Sequence, residues 1–374
     1  GMSAYHRLSK RQKVRGLLWL AVLIALVSSA TAATWTYFAW LMTLPFLCIT
    51  GLRCLALWHY LTRRRPRRGS PPAHEGIARI ARPQPHDAFL PVYSLLIPLF
   101  REARVVPALL QALRRLDYPA ARLDILLITE HSDSGTRAAL QRAGLSSNMR
   151  IIVVPEGHPQ TKPRALNYAL SYARGQYVAV YDAEDAPEPG QLKMAVRAFR
   201  TRPGRIGCVQ ARLDIYTPAA SFLTRQFTLE YMALFYGLLP AFQRWGIPIP
   251  LGGTSNHFPR VVLEEAGAWD PYNVTEDADL GLRLARKGYG VAMIGSTTWE
   301  EAPLHWHQWL GQRTRWIKGW IQTYLVHTRR PLRLLRDLGL RGFIGFQLVF
   351  AGLLFSALVH PWSYAFLAWQ LSLG

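Results

Sequence analysis

The 374-residue chain carries 44 Lys+Arg against 23 Asp+Glu, a formal net charge of +21, and is 50% hydrophobic. That apolar share excludes a disordered chain, and the length exceeds one compact unit. No zinc-knuckle, ribonucleoprotein or basic-zipper pattern occurs and the basic residues cluster beside apolar runs, which argues against nucleic acid and for a membrane surface.

In chain order, Gly1 ahead of Met2 reads as a cloning remnant. Residues 16–33 and 35–61 are apolar runs, each long enough to cross the roughly 30 Å hydrocarbon layer as a helix, which predicts a transmembrane hairpin within residues 1–62. Arg7, Lys10, Arg11, Lys13 and Arg15 precede the pair, and Arg63, Arg64, Arg65, Arg67 and Arg68 follow it. The positive-inside rule then places both flanks in the cytoplasm. A cleaved signal peptide competes for the first run, with Ala30-Thr31-Ala32 as its end, but leaves the second run without an orientation signal. Residues 63–91, rich in Pro, Arg and Gly, read as a linker along the bilayer surface.

From 92 to 304 short apolar runs alternate with helical patterns: VYSLLIPLF, LDILLIT, MRIIVVP and QYVAVYDAED are separated by segments such as ARVVPALLQALRRL and KPRALNYALSYA. The alternation predicts an α/β domain with a largely parallel sheet, whose ligands bind beyond the carboxyl ends of the strands. That rule brings Pro98–Glu102, Glu130–Asp133 and Asp182–Asp185 to one rim. Cys208 falls in a further predicted strand, and with Cys48 and Cys54 it forms neither a disulfide framework nor a metal spacing; all three read as packing residues.

Three stretches carry candidate chemistry. There is no Walker loop and no GxGxxG, so a phosphate ligand needs a metal. The acids Asp182, Glu184 and Asp185 supply hard oxygen ligands suited to Mg²⁺ or Mn²⁺ with a diphosphate, against the alternative of a solvated acidic turn. Thr161 opens a helix in which Lys162 and Arg164 flank Pro163, an arrangement that favours an anion; simple capping is the competing role for Thr161. NVTEDADLGLRLARKG (273–288) reads as a helix capped at Asn273 or Thr275 and stopped at Gly288, yet Glu276, Asp277 and Asp279 are more acids than a cap needs. A carboxylate at a helix start stays ionised and can accept a proton, while Asp279 reads equally as a solvated residue. In 305–327, Trp309, Trp316, Trp320 and Tyr324 recur at helical spacing, as in a helix lying in the membrane interface, and Gln312, Arg315 and Trp316 share a face suited to a sugar beside a diphosphate. Residues 305–340 are thus expected at the interface and 341–374 in the membrane. Phe343–Val359 is a span, and the apolar run after His360-Pro361 either re-enters or belongs to a longer chain.

The order PLFRE, acids after the second strand, TKPRALNYAL, DAED, TED and QRTRW resembles the membrane-bound family 2 glycosyltransferases, the group containing cellulose and hyaluronan synthases. LGGTSNHF and NVTEDADLGLRLARKG narrow the resemblance, which covers Val92 to His327, to the branch of bacteriophage-adsorption-protein B type synthases. It implies a GT-A fold, a nucleotide diphosphate sugar as donor with UDP the expected carrier, and Asp277 of the TED motif as base. It also implies donor contacts by Glu130, Asp133, Lys162, Asp182, Gln312 and Arg315, and assigns Trp316 and Glu276 to the acceptor. The metal falls to Asp182, Glu184 and Asp185, where the family has Asp-x-Asp and this chain has Asp182-Ala183-Glu184. The implied setting is a bacterial inner membrane with the catalytic domain in the cytoplasm and a growing glycan or lipid-linked acceptor, with export subunits as further partners. Processive members carry more spans after the QxxRW helix than this chain, so a single-transfer glycolipid enzyme and a non-catalytic scaffold stand as alternatives.

Overall fold

The computed structural model describes residues 2–5, 8–28, 32–63, 89–201 and 203–373; residues 64–88, most of the predicted linker, lie outside them. Among the described residues eight strands form one sheet: β1 (Tyr93–Leu99), β2 (Leu123–Glu130), β3 (Met149–Val154), β4 (Tyr177–Val180), β5 (Ala186–Pro187), β6 (Ile206–Ile215), β7 (Asn256–Pro259) and β8 (Gly290–Glu300). Their spatial order is β3-β2-β1-β4-β7-β6-β8-β5. The half containing β1 to β4 is parallel, as the alternation predicts. The other half is mixed: β7 runs antiparallel to both β4 and β6, while β8 runs parallel to β6.

Strand β2 is buried at every position and β1 nearly so, because helices cover both faces of a parallel sheet. The period of two sorts their side chains. Leu95, Ile97 and Ile125 pack with Leu109, Leu110 and Val196 on one face, whereas Leu96, Leu126 and Val178 pack with Leu166, Ala169 and Leu280 on the other. Each such leucine or isoleucine contributes about 1.5–3 kcal/mol on burial. Because β1, β2 and β4 run in one direction, Phe100–Glu102, Glu130 and Asp182–Asp185 emerge together at one rim.

Among the described residues, the helices Lys10–Ser28 and Ala32–Arg63 precede the sheet. Among the described residues, the stretches long and apolar enough to cross a membrane are Thr43–Thr62, with mean hydropathy 1.3, and Pro331–Pro361, with mean hydropathy 2.1. The Lys10–Ser28 helix is not one of them, since Lys10, Arg11, Lys13 and Arg15 occupy its first turns. Cys48 and Cys54 are exposed on the Ala32–Arg63 helix rather than packed, while Cys208 is buried in β6. That helix packs on the chain around Met232–Leu238 and on the Gly352–Leu373 helix, which contains Pro361. The Pro331–Phe346 helix breaks at Gly339, whose φ of 66° lies in the left-handed region that glycine tolerates.

Candidate active site

Asp182 and Glu184 form a wall shared by two cavities. The first, about 360 Å³, lies beyond the ends of β1 and β2 and is lined by Phe100, Glu102, Glu130, Gln160, Thr161 and Lys162. The second, about 290 Å³, is lined by Asp277, Gln312, Arg313, Trp316, Glu230, Glu300 and Glu301, with Leu213, Leu234, Phe235 and Leu239 as its apolar side.

The Lys162–Leu170 helix supplies Lys162 at its first position, with Pro163 next, where a missing N–H costs nothing. Thr161 makes no side-chain cap; its hydroxyl donates to Pro271 O at 3.0 Å and ties the helix start to the loop before the Glu276–Arg286 helix. Lys162 Nζ bonds the Asp182 carboxylate and donates to Gly253 O at 2.9 Å. Burial alone would lower this ammonium's pKa, but Asp182, with Glu276 and Asp277 behind it, outweighs burial and raises it. Arg164 pairs with Glu130 at 3.6 Å.

Asp185 does something else. One carboxylate oxygen accepts from Asp182 N at 2.7 Å and from the Thr254 hydroxyl, so the residue staples the DAED turn and is 2% exposed. It lines neither cavity, and its other oxygen, Oδ1, is buried without a hydrogen-bond partner among the described residues. Among the described residues no three His, Cys, Asp or Glu side chains converge into a metal shell. What remains is a pair: burial, then the charges of Asp182 and Glu102, push Glu184 up to about 7. Two crowded carboxylates at a common wall would hold Mg²⁺ or Mn²⁺, ions that typically take one or two carboxylates together with substrate phosphates.

Asp133 lines neither cavity. Its two oxygens accept from Thr136 N at 3.1 Å, capping the Ser134–Ala143 helix, and from Arg101 N at 2.6 Å, so it holds the rim together without reaching a cavity. Glu276 is buried and lines neither cavity, and burial followed by the charge of Asp277 pushes it up to about 8. Asp277 does face the second cavity, with Oδ1 accepting from Ala278 N at 2.7 Å. The helix start does not keep its pKa in the usual range, because burial pushes it up to about 6.

The Trp306–His327 helix closes the second cavity. It lies hard against the TED turn because position 319 is glycine: a Cβ there would come within 2.4 Å of Thr275 Oγ1. Gln312 and Trp316 face the cavity, whereas Arg315 is exposed and lines neither one. The guanidinium on the wall is that of Arg313, bonded to Glu230 and lying 4.6 Å from the Trp316 ring centroid and 5.2 Å from that of Phe227. Glu300, pushed up to about 8 by burial, was not expected from the sequence; two acids following a strand, in TTWEE, were the available signal.

These shifts carry a stability consequence. Glu184, Glu276, Glu300 and Asp277 all have folded pKa values raised above the ordinary carboxylate range. Their contribution is full below about pH 4 and is lost as pH rises through about 6 to 8. The melting temperature of the purified protein without divalent cation is therefore expected to fall by several degrees between pH 5 and pH 8. A flat or rising profile would contradict the crowding of these acids.

The "Glycosyltransferase like family 2" model matches residues 91–319. The chain is 29% identical over 233 residues to "Probable glycosyltransferase YdaM" of Bacillus subtilis (strain 168), covering 62% of this chain and 55% of that one. It is 28% identical over 267 residues to "Beta-monoglucosyldiacylglycerol synthase" of Synechocystis sp. (strain ATCC 27184 / PCC 6803 / Kazusa), covering 69% and 54%. The chain thus spans about half the length of these relatives. It shares its fold with the mannosyltransferase PcManGT from Pyrobaculum calidifontis, solved with GDP-Man and Mn²⁺, at a TM-score of 0.55 and 20% identity over 89% of this chain and 90% of that one. With that family model covering the sheet, nearly all of both cavity linings and most of the helix that closes the second, the chain belongs to the glycosyltransferase-like family 2 and has the α/β, GT-A-type fold that its motifs imply.

Proposed function

We propose that this chain is an inverting glycosyltransferase, moving a sugar from a nucleotide diphosphate sugar to an acceptor hydroxyl at the cytoplasmic face of a bacterial inner membrane. The observation that carries the reading is the shared wall of Asp182 and Glu184, with a cation-bearing cavity on one side and Asp277 on the other. Glu130 meets the nucleoside end of the donor, UDP being the expected carrier, and Lys162 offers its ammonium to the diphosphate. Asp182 and Glu184 would hold a divalent cation, whose positive charge would favour departure of the diphosphate. Asp277 takes the proton of the acceptor hydroxyl while that oxygen bonds to the anomeric carbon and the bond to the diphosphate oxygen breaks on the opposite face. Gln312, a donor contact, lines the second cavity beside the Trp316 ring, which orients the acceptor. The apolar helices and their basic flanks support the membrane setting.

A growing glycan is the first reading of the acceptor, with exopolysaccharide as product. A glycolipid is the second, favoured by the apolar side of the second cavity and by the packing of the Ala32–Arg63 helix against Met232–Leu238. Purified protein supplied with a panel of labelled nucleotide sugars, Mn²⁺, and either diacylglycerol micelles or oligosaccharides is expected to release nucleoside diphosphate in step with sugar transfer. Partition of label into chloroform or into ethanol-insoluble polymer separates the two acceptors. Absence of release with every donor would leave a non-catalytic scaffold.

A further inference from the structure

The proposed chemistry leaves unused a buried charged set one turn beyond the base. Asp279 is 0% exposed, His327 1% and Arg283 5%, which corrects the reading of Asp279 as a solvated residue. One Asp279 oxygen accepts from Arg283 Nε at 2.7 Å, and the other meets His327 Nε2 at 2.9 Å. His327 Nδ1 lies 3.1 Å from Arg286 Nη1, and Arg286 donates from Nε and Nη2 to Asp337 Oδ2 at 3.0 and 2.7 Å. A neutral imidazole with its proton on Nε2 satisfies both contacts, donating to Asp279 and accepting from Arg286. Burial lowers the His327 pKa, in keeping with that tautomer. The contacts cross three helices and end on Pro331–Phe346, which forms the first half of the apolar stretch Pro331–Pro361.

Apolar residues of the same volume stabilise a core as well as buried ions do; what they lack is a fixed register. Two further contacts act on the same seam. Gly319 abuts Thr275, and Asn273 Nδ2 donates to Thr323 Oγ1 at 2.9 Å. Residues 319, 323 and 327 recur at i, i+4 and i+8, a single stripe that continues back to Gln312 and Trp316 at the cavity. One side of one helix therefore forms the cavity wall and also grips the segment that carries Asp277.

We propose that Asp279 and His327 are positioning residues, which hold the Asp277 carboxylate in register with Gln312 and Trp316 and tie that register to the helix entering the membrane. The inference rests on the reading of Asp277 as base given above. The test uses the full chain in detergent, with the donor of highest turnover from the panel. His327→Ala is expected to lower kcat about 10- to 100-fold with donor KM within about twofold, the scale of a misplacement near 1 Å. His327→Gln, which keeps an N–H for Asp279, recovers most of that loss. In an Asp277→Asn background, His327→Ala adds no further loss, because the two act as one unit. Equal losses in both backgrounds, or an unchanged kcat, would overturn the proposal. Thr323→Val removes only the Asn273 hydrogen bond and is expected to move kcat the same way by a smaller factor, which serves where His327→Ala fails to fold. Amide hydrogen exchange over 274–278 needs no turnover: it should quicken in His327→Ala and recover in His327→Gln, and no change would count against the proposal. Full turnover in Asp277→Asn alone identifies failure of the base assignment instead.

Discussion

Asp277→Asn is expected to lower sugar transfer by roughly 10²- to 10⁴-fold while donor binding and folding survive, the loss typical of removing a positioned general base. If Asp277 served only the start of its helix, the same change would be nearly silent, since Asn caps about as well as Asp and the lost charge costs only about 0.3–1 kcal/mol. The residue's surroundings sharpen the expectation. Burial pushes its carboxyl up to about 6, so the base form dominates above that pH and transfer should decline as pH falls through it. Transfer at saturating donor, read beside a thermal melt and a pH profile of the wild type, decides between the roles. Unchanged turnover in a folded Asn variant would end the base assignment while leaving the family membership intact.

The second large effect is expected at Asp182. Asp182→Asn should cut donor turnover by at least about 10²-fold, because loss of a cation ligand forfeits several kcal/mol of help to the leaving group. Its cost in stability should stay within about 1 kcal/mol, since the pair with Lys162 is partly solvated on both sides. Glu184→Gln should behave alike. Asp185→Asn supplies the contrast: it weakens the staple on Asp182 N and Thr254, so its first effect is on the melting temperature. Turnover of Asp182→Asn and Glu184→Gln near wild type at saturating Mn²⁺ would return the DAED segment to an acidic turn.

Much of this was legible in the sequence because it depends on local pattern. Four apolar runs marked β1 to β4, and the rule for parallel sheets then brought Glu102, Glu130, Asp182 and Glu184 to one rim. What failed depends on partners distant in the chain. Arg313 and Arg315 flank the Gln312–Trp316 stripe on opposite sides, and nothing local chooses between them. The choice falls to Phe227 and Glu230, on a helix far upstream, which capture Arg313. Asp279 could not be told from a surface acid without His327 beside it. Asp133 is different, since SDSGT is a legible helix start, and the capping rule already covered it. The mixed half of the sheet escaped because β7 has four residues and β5 two, too short for any periodicity to register.

The glycine at 319 has a consequence for how such an enzyme diversifies. Along the helix that closes the second cavity, positions 312, 313, 316 and 320 look into that cavity, the proposed acceptor space, and 319, 323 and 327 look onto the segment that carries Asp277. The two sets interleave without sharing a residue. Acceptor preference can therefore be retuned by exchanging side chains in the first set while the second keeps the reactive geometry fixed. Residue 319 marks the limit of that freedom, because even one added methyl group would prise the helix off the turn and carry every acceptor contact away with it.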